Sequence, residues 1–459
     1  MTNRKYYSTN LKSDETSFRE ALLKGLAPDG GLYMPDSFPV ISREELSGFS
    51  DKKYYEIAFT VLNDFFGNEI DDNDLLELCR DAYYFDVPLE KVYERKYIMR
   101  LDQGPTASFK DFAARMMSRL MQYFLSKDNR HLTILTATSG DTGSAVANAF
   151  YGLKNIGVII LFPANEVTEM QRRQMTTLND NISVLSINGK FDDCQRLVKK
   201  AFVDPALSVI PLSSANSINI GRLLPQSVYY FYAWSRLAAS VEEKAVFSVP
   251  SGNFGNLMGG LIAKKMGLPV EKFILATNQN DEVPYFLRTG IYKSIVPSVN
   301  CISSAMNVGH PSNLARIVTL YNGMMNETGI IQRQPDMKRM RDELFGVSVT
   351  DDQTRDVISE SFSRYGVMLE PHGAIAWHGL NEYLSQTELK DANKRLYISL
   401  ETAHPAKFPE ELRRIIKIEP PLPDSLAGIG EKPENCITLD NNYELLRDFI
   451  LKHCLKGNL

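Results

Sequence analysis

The run LTILTATSGDTGSAVANAF, residues 132–150, decides the architecture. Its first six residues are β-branched or apolar, with no helical repeat, and predict a buried strand over 132–137. Gly140 and Gly143 interrupt that pattern, and the small apolar residues that follow predict a helix over 143–150. The unit recurs outward. Strand patterns stand at 156–162, 182–187, 208–212, 245–249, 272–277 and 395–400, with helical ones at 167–178, 193–202, 221–237, 257–266 and 374–383. Strands alternating with helices call for an α/β fold, mainly parallel sheet wrapped by helices on both faces. In such sheets ligands gather at the carboxyl ends of the strands, so the loops there carry the argument about function.

Upstream the texture differs. Helical stretches at 17–26, 54–65 and 72–83 have no strand alternation between them, which predicts a mainly helical N-terminal domain over 1–95 without chemistry of its own. A smaller α/β domain is expected over 96–215 and a larger one over 216–459, with the chain crossing between them.

The 459 residues carry a net charge of −5, which argues against nucleic-acid binding through general electrostatics but leaves a local anion site open. The 5 cysteines are scattered without a C-x-x-C pair, and the 6 histidines show no metal-ligand spacing, so neither a disulfide frame nor a metal is expected. The longest apolar run, 156–162, is too short to span a bilayer, and the first residues have no apolar signal core. A cytoplasmic protein without a membrane partner is expected.

Three loops after predicted strands stand out. In TSGDTG (138–143), the hydroxyls of Ser139 and Thr142 with the helix-end amides can cradle an anion, while Asp141 calls for a polar or protonated partner; alone, a capped turn explains the loop equally well. In PSGNFGN (250–256), Gly252 and Gly255 let backbone amides approach a phosphate. Neither a dinucleotide nor a nucleotide-triphosphate motif exists in the chain, which leaves open a phosphate carried by a smaller cofactor. In SANSINIGR (214–222), Asn216, Ser217 and Arg222 gather at a helix start, where Arg222 can clamp a phosphate or carboxylate; capping with a surface arginine is the simpler explanation.

LDQGPTASFKDFAAR (101–115) offers a candidate reactive group, although for a lysine taken alone a solvated place on a helix is the simpler explanation. A Gly104-Pro105 turn leads into a helix whose apolar rows run through Phe112, Met116, Leu120 and Phe124, with Ser108 as the expected N-cap. Lys110 then lies in the first turn, where the positive end of the helix dipole disfavours its ammonium form, as an amine nucleophile requires. EPHG (370–373) opens a helix, and His404 within TAHPAKF (402–408) is an acid–base or a structural histidine.

Together and in this order, GPTASFKDF, TSGDTG, PSGNFGN and TAHPAKF resemble the threonine synthase family, as do YSTN (7–10) and GLAPDGGLYMP (25–35) near the start. The resemblance spans nearly the whole chain. It implies a pyridoxal-phosphate enzyme of fold type II, similar to the tryptophan-synthase β group, with two open, mainly parallel sheet domains. It implies that Lys110 carries the cofactor as a Schiff base, that Gly252, Asn253, Phe254, Gly255 and Asn256 hold its phosphate, and that Thr402 meets its pyridine nitrogen. Many relatives in the wider group have asparagine beside the cofactor's 3′-oxygen, where this chain has Asp141. The implied reaction converts the small-molecule substrate O-phospho-L-homoserine, bound by Ser139, Thr142, Asn216, Ser217 and Arg222, into threonine and phosphate. A phospho-lyase releasing 2-oxobutyrate and a non-catalytic phospho-ligand binder are the alternatives; a monomer or homodimer is expected.

Overall fold

The computed structural model describes residues 4–386 and 392–455. Among them, two sheets frame the molecule. The larger runs Leu344–Ser348, Val270–Thr277, Ala245–Pro250, Leu396–Glu401, Lys96–Arg100, Leu89–Tyr93, every pairing parallel except the last. The smaller, wholly parallel, runs Ile437–Asp440, Ile182–Asn188, Ile156–Pro163, Leu132–Ala137, Leu212–Ser213. The expected α/β class with two mainly parallel sheets is what the chain adopts. Each sheet takes strands from distant sequence: Lys96–Arg100 pairs with Leu396–Glu401, and Ile437–Asp440 with Ile182–Asn188.

Helix Lys110–Asp128 lies in the largest hydrophobic core, sharing it with strands of both sheets and with the N-terminal helices. Aromatic rings hold it from two sides. Phe18 packs 6.3 Å from Phe124 and 4.3 Å from Phe66, while Phe112 meets Tyr54, Phe85 and Tyr229 at 4.9–5.6 Å between centroids. The N-terminal region thus buries the far face of the helix that begins at Lys110.

Four local expectations are corrected. The N-terminal region is mainly helical but contains an antiparallel pair, Tyr6–Ser8 with Tyr33–Pro35, too short to show alternation. The pattern also missed Leu89–Tyr93 and Lys96–Arg100, whose charged residues mask their period. The strand expected over 208–212 shrinks to Leu212–Ser213, because Asp204 caps a 3-10 turn at Pro205–Leu207 that continues into Ser208. The helix expected over 221–237 is broken into Ile220–Leu223, a 3-10 turn at Leu224–Ser227 and Val228–Leu237; Pro225 lacks the amide hydrogen that a continuous helix needs.

Helix Glu282–Thr289 begins with a buried carboxyl whose oxygens have no hydrogen-bond partner among the described residues. Burial pushes Glu282 up to about 8. With the folded value raised, the stability that the neutral acid contributes is full below the unfolded pKa and is lost as pH climbs to about 8. We therefore expect Glu282→Gln to gain stability relative to the wild type between about pH 5 and 8, by at most about 1.4 kcal/mol per unit. Thermal melts at the two pH values check this; a constant gap would mean that Glu282 is already ionised.

Candidate active site

The helix of Lys110 is not capped by a side chain. Phe109, in αR conformation, precedes it, and Ser108 instead forms a β-bridge with Ala403, leaving its hydroxyl unused among the described residues. The amide of Phe109 donates to Thr402 O at 2.9 Å, and that of Leu101 to Glu401 O at 3.0 Å. The lysine's turn is therefore stitched to the end of a strand almost three hundred residues later. Next to it, the Asp111 carboxylate accepts from the Thr106 amide at 2.8 Å and the Thr106 hydroxyl at 2.6 Å, pulling the preceding loop tight. Gly104 belongs there because a Cβ would lie 2.4 Å from Asp111 Oδ2.

Lys110 Nζ stands 3.6 Å from Asp141 Oδ2. Burial pulls the lysine below its ordinary value; Asp141 and Glu370 oppose this, while Lys407 and Arg222 reinforce it. Asp141 opens helix Asp141–Phe150 rather than lying in the loop. Thr138 Oγ1 accepts from the amides of Gly140 and Gly143 at 2.9 and 2.8 Å, bending the chain there. Gly140 has φ +131°, and a Cβ would meet the Gln171 side chain at 2.4 Å. Asp141 has the protonated partner that its position demanded: its Oδ1 pairs with Lys407 Nζ at 2.6 Å and accepts from Gln171 Nε2 at 2.9 Å. Burial disfavours its charge, yet Lys407 and Lys110 outweigh burial and keep Asp141 well below the usual carboxylate range.

One cavity is lined by Lys110, Ser139, Asp141, Thr142, Asn216, Ser217, Arg222, the whole of Gly252–Asn256 and Thr402. The structure thus brings together every site residue expected from sequence. Opposite the lysine, Phe254 takes the left-handed conformation, φ 58°, just before helix Gly255–Lys265. The backbone amides of residues 252–256 find no acceptor among the described residues. Asn256 Oδ1 accepts from the Tyr229 and Tyr230 hydroxyls at 2.7 Å each, leaving its buried Nδ2 without a partner. Unpaired donors at a helix N-terminus form an anion site.

A second set of donors lies around Arg222. Its Nη1 donates to Ala215 O at 2.6 Å, its buried Nε has no partner, and burial lowers its guanidinium to about 10. The capped surface arginine is ruled out, since only 4% of Arg222 is exposed. Asn216 Nδ2 is tied to Ala137 O at 2.8 Å, and Ser217 Oγ lies 3.4 Å from Ser312 Oγ. Ser139 and Thr142 line the same cavity.

Thr402 points its Oγ1 at Glu370 Oε1 across a long 3.5 Å. His372, not anticipated from sequence, also lines the cavity. Its Nδ1 lies 2.5 Å from Glu370 Oε2 and its Nε2 accepts from the Ala305 amide at 3.1 Å, so both nitrogens are engaged and it braces the wall. His404 is structural: Nδ1 accepts from the Ala406 amide at 3.1 Å, and burial lowers it to about 4. Lys407 also went unseen, although an aspartate demanding a cation was a signal for it.

Among the described residues no group of His, Cys, Asp and Glu can hold a metal, and no helix is long and apolar enough to cross a membrane. The donor set suits pyridoxal phosphate: an amine whose charged form burial disfavours for the aldehyde, unpaired amides and Asn256 Nδ2 for the phosphate, and a buried hydroxyl for the ring nitrogen.

Comparison with known proteins agrees. Residues 5–83 match the family model "Threonine synthase N terminus", 87–399 match "Pyridoxal-phosphate dependent enzyme", and 374–450 match "Threonine synthase, C-terminal". Threonine synthase of Buchnera aphidicola is 40% identical over 98% of this chain and 100% of its own. The pyridoxal-phosphate-bound threonine synthase of Brucella melitensis superposes with TM-score 0.90 at 35% identity, covering 98% of this chain and 99% of that one. The Escherichia coli threonine synthase structure does so with TM-score 0.87 at 37% identity, covering 98% and 100%. This chain belongs to the threonine synthase family of pyridoxal-phosphate-dependent enzymes.

Proposed function

We propose that this protein converts O-phospho-L-homoserine and water into L-threonine and inorganic phosphate, with Lys110 as the catalytic base and acid. One observation carries the reading. Two donor sets face a single, partly buried amine, one on the amides of residues 252–256 and one around Arg222, which suits a phosphorylated cofactor and a phosphorylated substrate side by side. When bound, pyridoxal phosphate supplies an electron sink that makes protons at the substrate's Cα and Cβ removable.

The residues then divide the work. Gly252, Asn253, Phe254, Gly255 and Asn256 hold the cofactor phosphate, Asp141 faces the cofactor beside Lys110, and Thr402 meets its ring nitrogen. Ser139, Thr142, Asn216, Ser217 and Arg222 bind the substrate's carboxylate and phosphate, orienting the Cγ–O bond. Lys110 removes the Cα proton and then moves the Cβ proton as phosphate departs from Cγ. After reprotonation of the chain, water adds at Cβ. An amine whose value burial lowers is suited to this, because its neutral form is then less costly to reach.

Arg222 tests the pairing of anion sites. Losing a charge-assisted hydrogen bond costs about 1.5–3 kcal/mol, so Arg222→Leu should raise the KM for phosphohomoserine about ten- to a hundredfold. Cofactor affinity, followed by visible absorbance, should hardly change. Loss of cofactor with substrate binding intact would mean that the two sites are exchanged.

A further inference from the structure

The buried ion pair beside Lys110 has a directional asymmetry. Asp141 is 2.6 Å from Lys407 but 3.6 Å from Lys110, so its charge is committed to the lysine that the reaction does not use. Lys407 is wholly buried, and its Nζ also donates to Thr106 O at 3.0 Å. Thr106 in turn binds Asp111, the residue following Lys110, through both its amide and its hydroxyl. Lys407 therefore ties the lysine's loop to the carboxylate beside Lys110. A buried pair of this kind is a poor source of stability, since apolar residues of similar size do as well. Its presence calls for another explanation.

We propose that Lys407 is a positioning residue for Lys110: it neutralises Asp141, so that the Lys110 amine stays free rather than pairing as an ammonium with that carboxylate. The charged groups facing Lys110 are Asp141, Lys407, Arg222 and Glu370, with Asp111 buried behind it and occupied by Thr106. With Lys407 removed, Asp141 keeps its charge most cheaply by drawing a proton onto Lys110 and closing the 3.6 Å gap. A protonated Lys110 can neither attach the cofactor nor accept a proton from the substrate. The direction of the lysine's own shift, opposed by Asp141 and aided by Lys407, agrees with this division.

The proposal rests on Lys110 as the cofactor-bearing lysine, and the test separates the two. Full-length wild type, Lys407→Met, Asp141→Asn and the double variant are freed of cofactor and given pyridoxal phosphate across a pH series. Neutral Nζ attacks the aldehyde carbon, a C=N bond replaces C=O, and water leaves; borohydride then fixes the product for peptide mapping. If no label reaches Lys110 in the wild type, the lysine assignment itself is wrong. With label on Lys110, Lys407→Met should move the midpoint of the pH–rate curve up by about one unit or more, roughly tenfold slower capture at neutral pH. Asp141→Asn added to it should return the midpoint by at least about one unit. A slower Lys407→Met with an unmoved midpoint, or a double variant that keeps the raised one, overturns the proposal and leaves Lys407 a structural strut. Should Lys407→Met not fold, the double variant decides: a midpoint at or below that of the wild type supports the proposal, and one raised by about a unit defeats it.

Discussion

Lys110→Ala should abolish threonine formation, by about 10⁴-fold or more, while leaving the fold intact. On our reading the substitution removes both the amine that links the cofactor and the only proton carrier at Cα and Cβ. No neighbour can replace it: Lys407 is held by Asp141 and Thr106 O, His372 has both nitrogens engaged, and Arg222 keeps its proton at any working pH. The helix should survive because alanine suits its first turn. The variant should melt no lower than the wild type and lack the visible absorbance of lysine-bound cofactor. Steady-state assays with phosphohomoserine and borohydride trapping of the wild type check both halves. Turnover surviving in the variant, or reduced cofactor recovered on Lys96 or Lys127, would remove Lys110 from the mechanism.

How much of this was legible without coordinates depended on the range of the interaction. Strand–helix alternation from Leu132 onward is a local signal, and the elements at 132–137, 156–163 and 182–188 follow it closely. The site loops were legible for the same reason, since glycine spacing and helix starts act over a few residues. Interactions between distant segments were not. Ser108 reads as an N-cap although Ala403 sets its role, and Lys96–Arg100 goes unmarked because its partner strand, Leu396–Glu401, lies far away in sequence. Lys407 and His372 escaped because each gains its meaning from a buried carboxylate far away in sequence or hidden by the turn, Asp141 and Glu370. Asp141 came closest to revealing a missing residue, because a carboxylate in an anion cradle demands a cation.

Thr402 offers the second large effect, and the surroundings of its hydroxyl sharpen it. Behind Thr402 lies a buried acidic cluster: Glu370 at 3.5 Å, and Glu401, whose carboxyl burial and the Glu370 charge push up. Glu401 Oε1 is already committed to the Glu370 amide at 2.8 Å, and Glu401 Oε2 has no partner among the described residues. Thr402→Asp would add a third carboxyl to this cluster, which must either hold a proton or repel its neighbours. If the new carboxylate did ionise, it would keep the ring nitrogen protonated, strengthening the sink at Cα against passage of charge toward Cγ, where phosphate must leave. Both routes act against threonine formation. We expect Thr402→Asp to lose at least about a hundredfold in kcat/KM and to divert residual turnover toward a keto acid. Thr402→Ser, which keeps the hydroxyl, should stay within a few-fold of the wild type. Thr402→Asn, polar but uncharged, should fall between them, which separates loss of the hydroxyl from gain of the charge. Threonine and keto acid measured in parallel, with cofactor absorbance recorded for each variant, give the test. An aspartate variant that makes threonine at the wild-type rate would show that Thr402 is not at the ring nitrogen.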